Sequence, residues 1–137
     1  MKILVVEPNK IPYPKEITGS LESMQKIVDG LITAIYPFPE PIALVCHDEG
    51  KLLGLPLNRA LREQSGGRIL DIIAGTFFLC GCPENGDSFV SLTDEQVQRY
   101  SDLFHRPELF IQVEGEIIAL SSSGCVAKES DAGRGGT

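Results

Sequence analysis

The apolar residues of this chain come in short runs, and proline or glycine cuts most of them off within a few positions. Runs of that length suit buried strands better than amphipathic helices. Residues 2–6, with Ile3, Leu4, Val5 and Val6, read as a first strand closed by Glu7 and Pro8. The loop that follows, Pro8 to Lys15, holds three prolines and reads as stiff. Residues 31–36 read as a second strand, stopped by Pro37-Phe38-Pro39, and residues 41–46 as a third. Asp48-Glu49-Gly50-Lys51 has turn composition and predicts a hairpin from the third strand to a short fourth at residues 52–54. Residues 69–82 are too apolar to alternate and form either one long strand bent at Gly75 or two segments. Residues 109–113 and 116–120 predict a last hairpin around Glu114-Gly115.

Three stretches carry helical spacing. Ser20 or Gly19 starts the first, with Leu21, Met24, Ile27 and Val28 as its stripe and Gly30 at the left-handed cap. Pro56 opens a short second helix with Leu57, Ala60 and Leu61 inward and Arg59, Arg62 and Glu63 outward. The third has the clearest start. Thr93 and Gln96 make a capping box, Leu92 and Val97 stand at the staple positions, and Asp94 and Glu95 favour the positive end of the dipole. Its buried face is expected to be Val97, Tyr100, Leu103 and Phe104, and Pro107 stops it.

Strands and helices mix without a regular βαβ alternation, so the fold class is α+β. The expectation is a small mixed or antiparallel sheet, two main helices and one short helix, with the helices in a single layer on one face. Residues 1–120 form one domain, and the Ser/Gly-rich residues 121–137 read as a mobile tail. With 42% hydrophobic and 23% charged residues in 137, the chain is ordinary for a globular domain. No apolar run resembles a signal peptide or a membrane span, so a cytoplasmic protein with no membrane contact is expected.

The net charge of −7 argues against direct nucleic-acid binding. Residues 84–116 hold eight acids against two bases, which makes a solvated face or a surface for a basic partner. Phosphate-loop, dinucleotide, zinc-protease and nucleophile-elbow patterns are all missing. Cys46, Cys80, Cys82 and Cys125 lack zinc spacing and read as reduced, inert thiols, so no metal and no cofactor is expected. His47 reads as an exposed hairpin-tip residue, and His105 as a partner for a helix C-terminus. No nucleophile, base and orienting group can be assembled from spacing, so no catalytic residue is assigned.

Two segments remain of chemical interest. One is the proline loop with Lys10, Tyr13 and Lys15; the other is the start of the short helix with Asn58 and Arg59. A helix N-terminus with an arginine nearby grips an anion, and a tyrosine ring stacks on a flat one. Tyr13, Lys15, Asn58 and Arg59 are therefore the candidate ligand-binding residues, for a small anionic or nucleotide-like ligand. The bland alternative has Asn58 as a cap and Arg59 in a surface ion pair.

The segments Val6-Glu7-Pro8, Pro12-Tyr13, Tyr36-Pro37-Phe38, Gly54-Leu55-Pro56-Leu57-Asn58-Arg59 and Asp71-Ile72-Ile73-Ala74-Gly75-Thr76-Phe77 together resemble one small family. It is the uncharacterised domain of unknown function three-eight-four-six, and the similarity runs from about residue 2 to residue 110. The resemblance implies carriage by phages and conjugative elements of Gram-positive bacteria, and it carries over no catalytic residue. The expected function is a non-catalytic binding protein of a mobile element that sequesters a nucleotide-like signal. The alternative is an acidic module that inhibits a host protein. A homodimer is compatible with the exposed edges of a small sheet.

Overall fold

The computed structural model describes residues 1–63, 67–84, 86, 88–121 and 126–128. It is an α+β fold with antiparallel sheets and two helices. The central sheet has five strands: β1 (Lys2–Val6), β2 (Tyr13–Glu16), β3 (Ile32–Ile35), β4 (Ile42–His47) and β7 (Phe77–Gly81). Their order is β2-β1-β7-β4-β3, and every neighbouring pair is antiparallel.

Both faces of the inner strands β1, β4 and β7 are covered, which explains why they read as continuous apolar runs. Side chains alternate across the pleat. Ile3, Val5, Ala43, Val45, Phe78 and Cys80 meet α1 (Leu21–Val28) on one face through Met24 and Val28. Leu4, Val6, Ile42, Leu44, Phe77 and Leu79 face the other way. They meet α2 (Asp94–Leu103) and the hairpin of β5 (Leu57–Arg62) and β6 (Ile69–Ala74). The helices therefore lie on opposite faces of the sheet, not in a single layer. A strand buried on both sides needs a cover on each.

The expected short helix at Pro56 is absent, and its residues form β5. A segment this short gains little as an isolated helix. As a strand its backbone pairs with β6, Leu61 joins the sheet core and Ala60 packs below with Ile69 and Ile72. Residues 69–81 are two strands in different sheets, and Gly75 turns between them at a φ of +81°. The expected fourth strand at residues 52–54 is also absent. Turns fill residues 48–54, and β4 pairs instead with β3 across the Pro37–Pro41 connection. Lys10 to Pro12 stay in the loop, but Tyr13–Glu16 pair with β1 as an edge strand, where Pro14 needs no inward donor.

The capping box of α2 forms as expected, with Thr93 and Gln96 each accepting the other's backbone N–H. Leu103 is exposed, however, and not part of the buried face. In α1 the left-handed cap is Asp29 at a φ of +60°, not Gly30. Gly30 is small for another reason: a Cβ there would sit 2.3 Å from Nε2 of His47. His47 is accordingly half-buried at the end of β4.

The last hairpin, β8 (Glu108–Val113) and β9 (Glu116–Ser121), packs Phe110, Ile117 and Ala119 under β5 and β6. Within the expected tail, β10 (Val126–Lys128) pairs with β9, and the remainder of residues 122–137 lies outside the described residues. Among the described residues, no helix is long and apolar enough to cross a membrane.

The α1 interface gives a direct test. Met24 is 8% exposed and Leu21 is 58% exposed, although both fall on the same sequence stripe. Met24→Ala is expected to cost about 2–3 kcal/mol in urea denaturation, and Leu21→Ala less than about 0.5 kcal/mol.

Candidate functional site: a groove beside a buried arginine

The structure separates the four residues singled out by sequence. Tyr13 and Lys15 lie on the exposed edge strand β2. The Tyr13 hydroxyl donates to Glu7 Oε2 at 2.7 Å, and burial together with that bond pushes its pKa up to about 12. Asn58 is fully buried and Arg59 is 1% exposed, so neither stands at a solvent-facing helix terminus.

A β-bulge explains their position. The β5–β6 register shifts between Leu57 and Arg59, which leaves Asn58 as the extra residue. A bulge interrupts the alternation, so two consecutive polar side chains turn inward. Asn58 Nδ2 donates to the carbonyls of Val6 (2.8 Å) and Gly75 (2.9 Å). Arg59 Nη1 donates to Asn58 Oδ1 at 2.9 Å. Arg59 Nε donates to the carbonyl of Phe104 at 3.1 Å and Nη2 to that of Lys10 at 2.6 Å. Phe104 is the C-cap of α2, whose last turn has no basic residue of its own. Arg59 therefore supplies the cation that this end of the dipole favours, the role the sequence suggested for His105. Burial lowers the Arg59 pKa, and the charge of Glu108 partly opposes that.

Next to this arginine a groove of about 710 Å³ opens between α2, the Pro37–Glu40 loop and β5. That volume falls in the range of small-molecule sites. Its floor is aromatic. The Phe38 ring lies 4.7 Å from Tyr100 and 6.2 Å from Phe104, and Phe104 packs edge-on to Phe77. Its two sides are charged. On one, Arg62 grips Glu108 with two bonds, Nη1 to Oε1 at 3.1 Å and Nη2 to Oε2 at 2.7 Å. Glu108 Oε1 also accepts the backbone N–H of Ala60, which ties β8 to β5. On the other, Arg99 pairs with Glu40, whose Oε1 also accepts the Tyr100 hydroxyl at 3.1 Å.

The Arg99 bond holds the Glu40 carboxyl below its ordinary value, and burial then the Glu40 bond push Tyr100 up to about 12. Tyr100 is thus a fixed donor near neutral pH. Exposed Leu103 completes an apolar lip.

The groove residues escaped the sequence reading, although one signal was legible: an aromatic residue between two prolines, Pro37-Phe38-Pro39. Arg62, Arg99 and Glu108 belong to different elements, and no spacing links them. Among the described residues, no group of His, Cys, Asp and Glu could hold a metal ion. Cys46 and Cys80 are buried free thiols, and burial pushes Cys80 up to about 12. Cys125 lies outside the described residues.

Two outcomes follow from this geometry. Arg59→Lys keeps the charge but loses the fork that spans three carbonyl-bearing segments, so it is expected to destabilise the protein by about 3 kcal/mol in chemical denaturation. A surface arginine would tolerate that change. Glu40 has a lower pKa folded than unfolded, so its contribution is present above the ordinary value of 4.5 and is lost as pH falls through the folded value. Glu40→Gln is therefore expected to flatten the fall of stability below pH 4.5, measured by urea denaturation at stepped pH.

No curated protein and no solved structure matches this chain. A family model does, over residues 1–105, a span that covers the five-stranded sheet, both helices and the bulge with Asn58 and Arg59. The chain belongs to the family described as Domain of unknown function (DUF3846).

Proposed function

We propose that this protein binds and sequesters a small nucleotide-like ligand in the groove between α2 and β5. The observation that carries the reading is that the exposed cation Arg99 lines the same groove as the paired rings of Phe38 and Tyr100. A planar base would lie against the aromatic floor, as rings do at offset or tilted geometry. An anionic group would draw Arg99 from Glu40, an exchange that costs little because that pair is solvent-screened. Arg62 stays with Glu108, and the pair offers donors and acceptors to the edge of a base. The volume fits a mononucleotide-sized ligand better than a polymer. The setting on mobile DNA of Gram-positive bacteria rests on the family resemblance alone.

A second reading, an acidic surface for a host protein, is favoured by α2, whose Asp94, Glu95 and Asp102 are exposed. The two readings share α2, because Asp102 lines the groove and Glu95 lies one turn from Arg99, and Asp94, which pairs with Lys2, separates them by mutation.

The test is native mass spectrometry of gently purified protein, followed by titration calorimetry with purine and pyrimidine mononucleotides and cyclic dinucleotides. A ligand should appear in the wild-type protein, and Arg99→Glu and Phe38→Ala should each weaken it at least about tenfold, the equivalent of one lost charged or stacking contact. Asp94→Lys should leave it unchanged. If no probe binds, or if binding ignores both groove variants, the proposal fails.

A further inference from the structure

Arg62 is held in one orientation at the side of the groove. Its Nη1 and Nη2 donate to the two oxygens of Glu108 at 3.1 and 2.7 Å. The Glu108 side chain is 7% exposed, and its Oε1 also accepts the backbone N–H of Ala60. A carboxylate with so little freedom fixes the plane of the guanidinium that pairs with it. A guanidinium carries five N–H donors, and the pair with Glu108 uses one hydrogen on each Nη. Nε–H and the second hydrogen of Nη2 lie side by side on the flank of the group, as a second fork. Among the described residues this fork has no partner. The Arg62 side chain is 31% exposed and lines the groove, so a ligand there can reach it.

Two parallel N–H donors match two neighbouring acceptors. Among the bases, guanine presents such a pair on one edge, O6 beside N7. Adenine presents N7 beside its 6-amino group, so one arm of the fork would meet another donor. A site built to make a polar contact discriminates strongly against a ligand that leaves it unmade. The neighbouring residue favours the same base. Glu63 is half-buried, lines the groove, and its carboxylate has no partner among the described residues. Glu40 and Glu108, by contrast, are already engaged by arginines. Guanine carries N1–H and its 2-amino group next to O6, and both donate to a carboxylate. Adenine has an acceptor at N1, which a carboxylate repels.

Resting on the nucleotide reading of the groove, we infer that Arg62 makes the site selective for guanine nucleotides, with Glu108 as its positioning residue. The base lies on the rings of Phe38 and Tyr100 with its O6–N7 edge toward Arg62, and its phosphate reaches Arg99 on the opposite side. The two arginines have separate tasks. Arg99 meets a group that every nucleotide carries, and Arg62 meets one that distinguishes guanine from adenine.

The test is titration calorimetry with GMP, AMP and 7-deaza-GMP, in which carbon replaces N7. The wild-type protein is expected to bind GMP at least about tenfold more tightly than either of the others, the discrimination of one two-pronged contact. Arg62→Lys keeps a cation beside the buried Glu108 but has no fork, so it should bring the GMP-to-AMP ratio close to one. Arg99→Glu should weaken both nucleotides alike and preserve the ratio. Far-UV circular dichroism confirms that each variant is folded. Equal wild-type affinities for GMP and AMP overturn the inference and leave the nucleotide reading in place. A GMP preference that survives Arg62→Lys does the same, and so does an Arg62→Lys loss shared equally by GMP and AMP, which would put the fork on the phosphate. If none of the nucleotides binds, the reading of the groove fails and the inference falls with it.

Discussion

Everything on the α2 side of the sheet depends on one buried polar knot. Asn58 and Arg59 are adjacent in sequence, and a β-bulge turns both of them inward. Their bonds reach the end of β1 at Val6, the turn at Gly75, the loop at Lys10 and the last carbonyl region of α2 at Phe104. Four segments far apart in the chain are thereby fixed to one strand. A buried guanidinium is costly, and carbonyl dipoles satisfy it here in place of a carboxylate. The helix C-terminus is the best of those acceptors, because its dipole already carries partial negative charge.

The groove is a consequence of that arrangement. Arg59 sets the C-terminus of α2 beside β5, and Tyr100, Leu103 and Phe104 then face the Pro37–Glu40 loop. The prolines stiffen this loop, which presents Phe38 to the aromatic floor and Glu40 to Arg99. Arg62, three residues beyond Arg59 in β5, comes out on the groove side and locks Glu108. A single strand thus holds the helix with one arginine and furnishes the site with the next. Arg59 acts as a positioning residue, and Arg62 and Arg99 are the side chains at the rim.

Much of the architecture was legible in the sequence. The runs at residues 2–6, 31–36 and 41–46 became strands, and Thr93 with Gln96 marked the start of α2, because these signals are local. The segment 57–62 was misread because Leu57, Ala60 and Leu61 fit a helical stripe as well as a two-sided strand. Pairing with β6 decided the matter. The same misreading placed Asn58 and Arg59 at a surface helix terminus. Their residue types suggested an anion-binding pair, but burial assigned both side chains to the interior. Tyr13 and Lys15 were expected in a loop beside them and lie instead on a separate edge.

By itself the sequence determined the α+β class, the strand-sized apolar runs, the capping box of α2 and the family. Each depends on chemistry within a few residues or on a pattern spread along the chain. Only the tertiary structure decided which face each helix covers, that residues 57–62 are extended, and that Phe38, Arg62, Arg99 and Glu108 meet around one groove. These are relations between segments distant in sequence. They are set by which backbone groups find partners and which apolar faces find cover, and no local pattern encodes that competition.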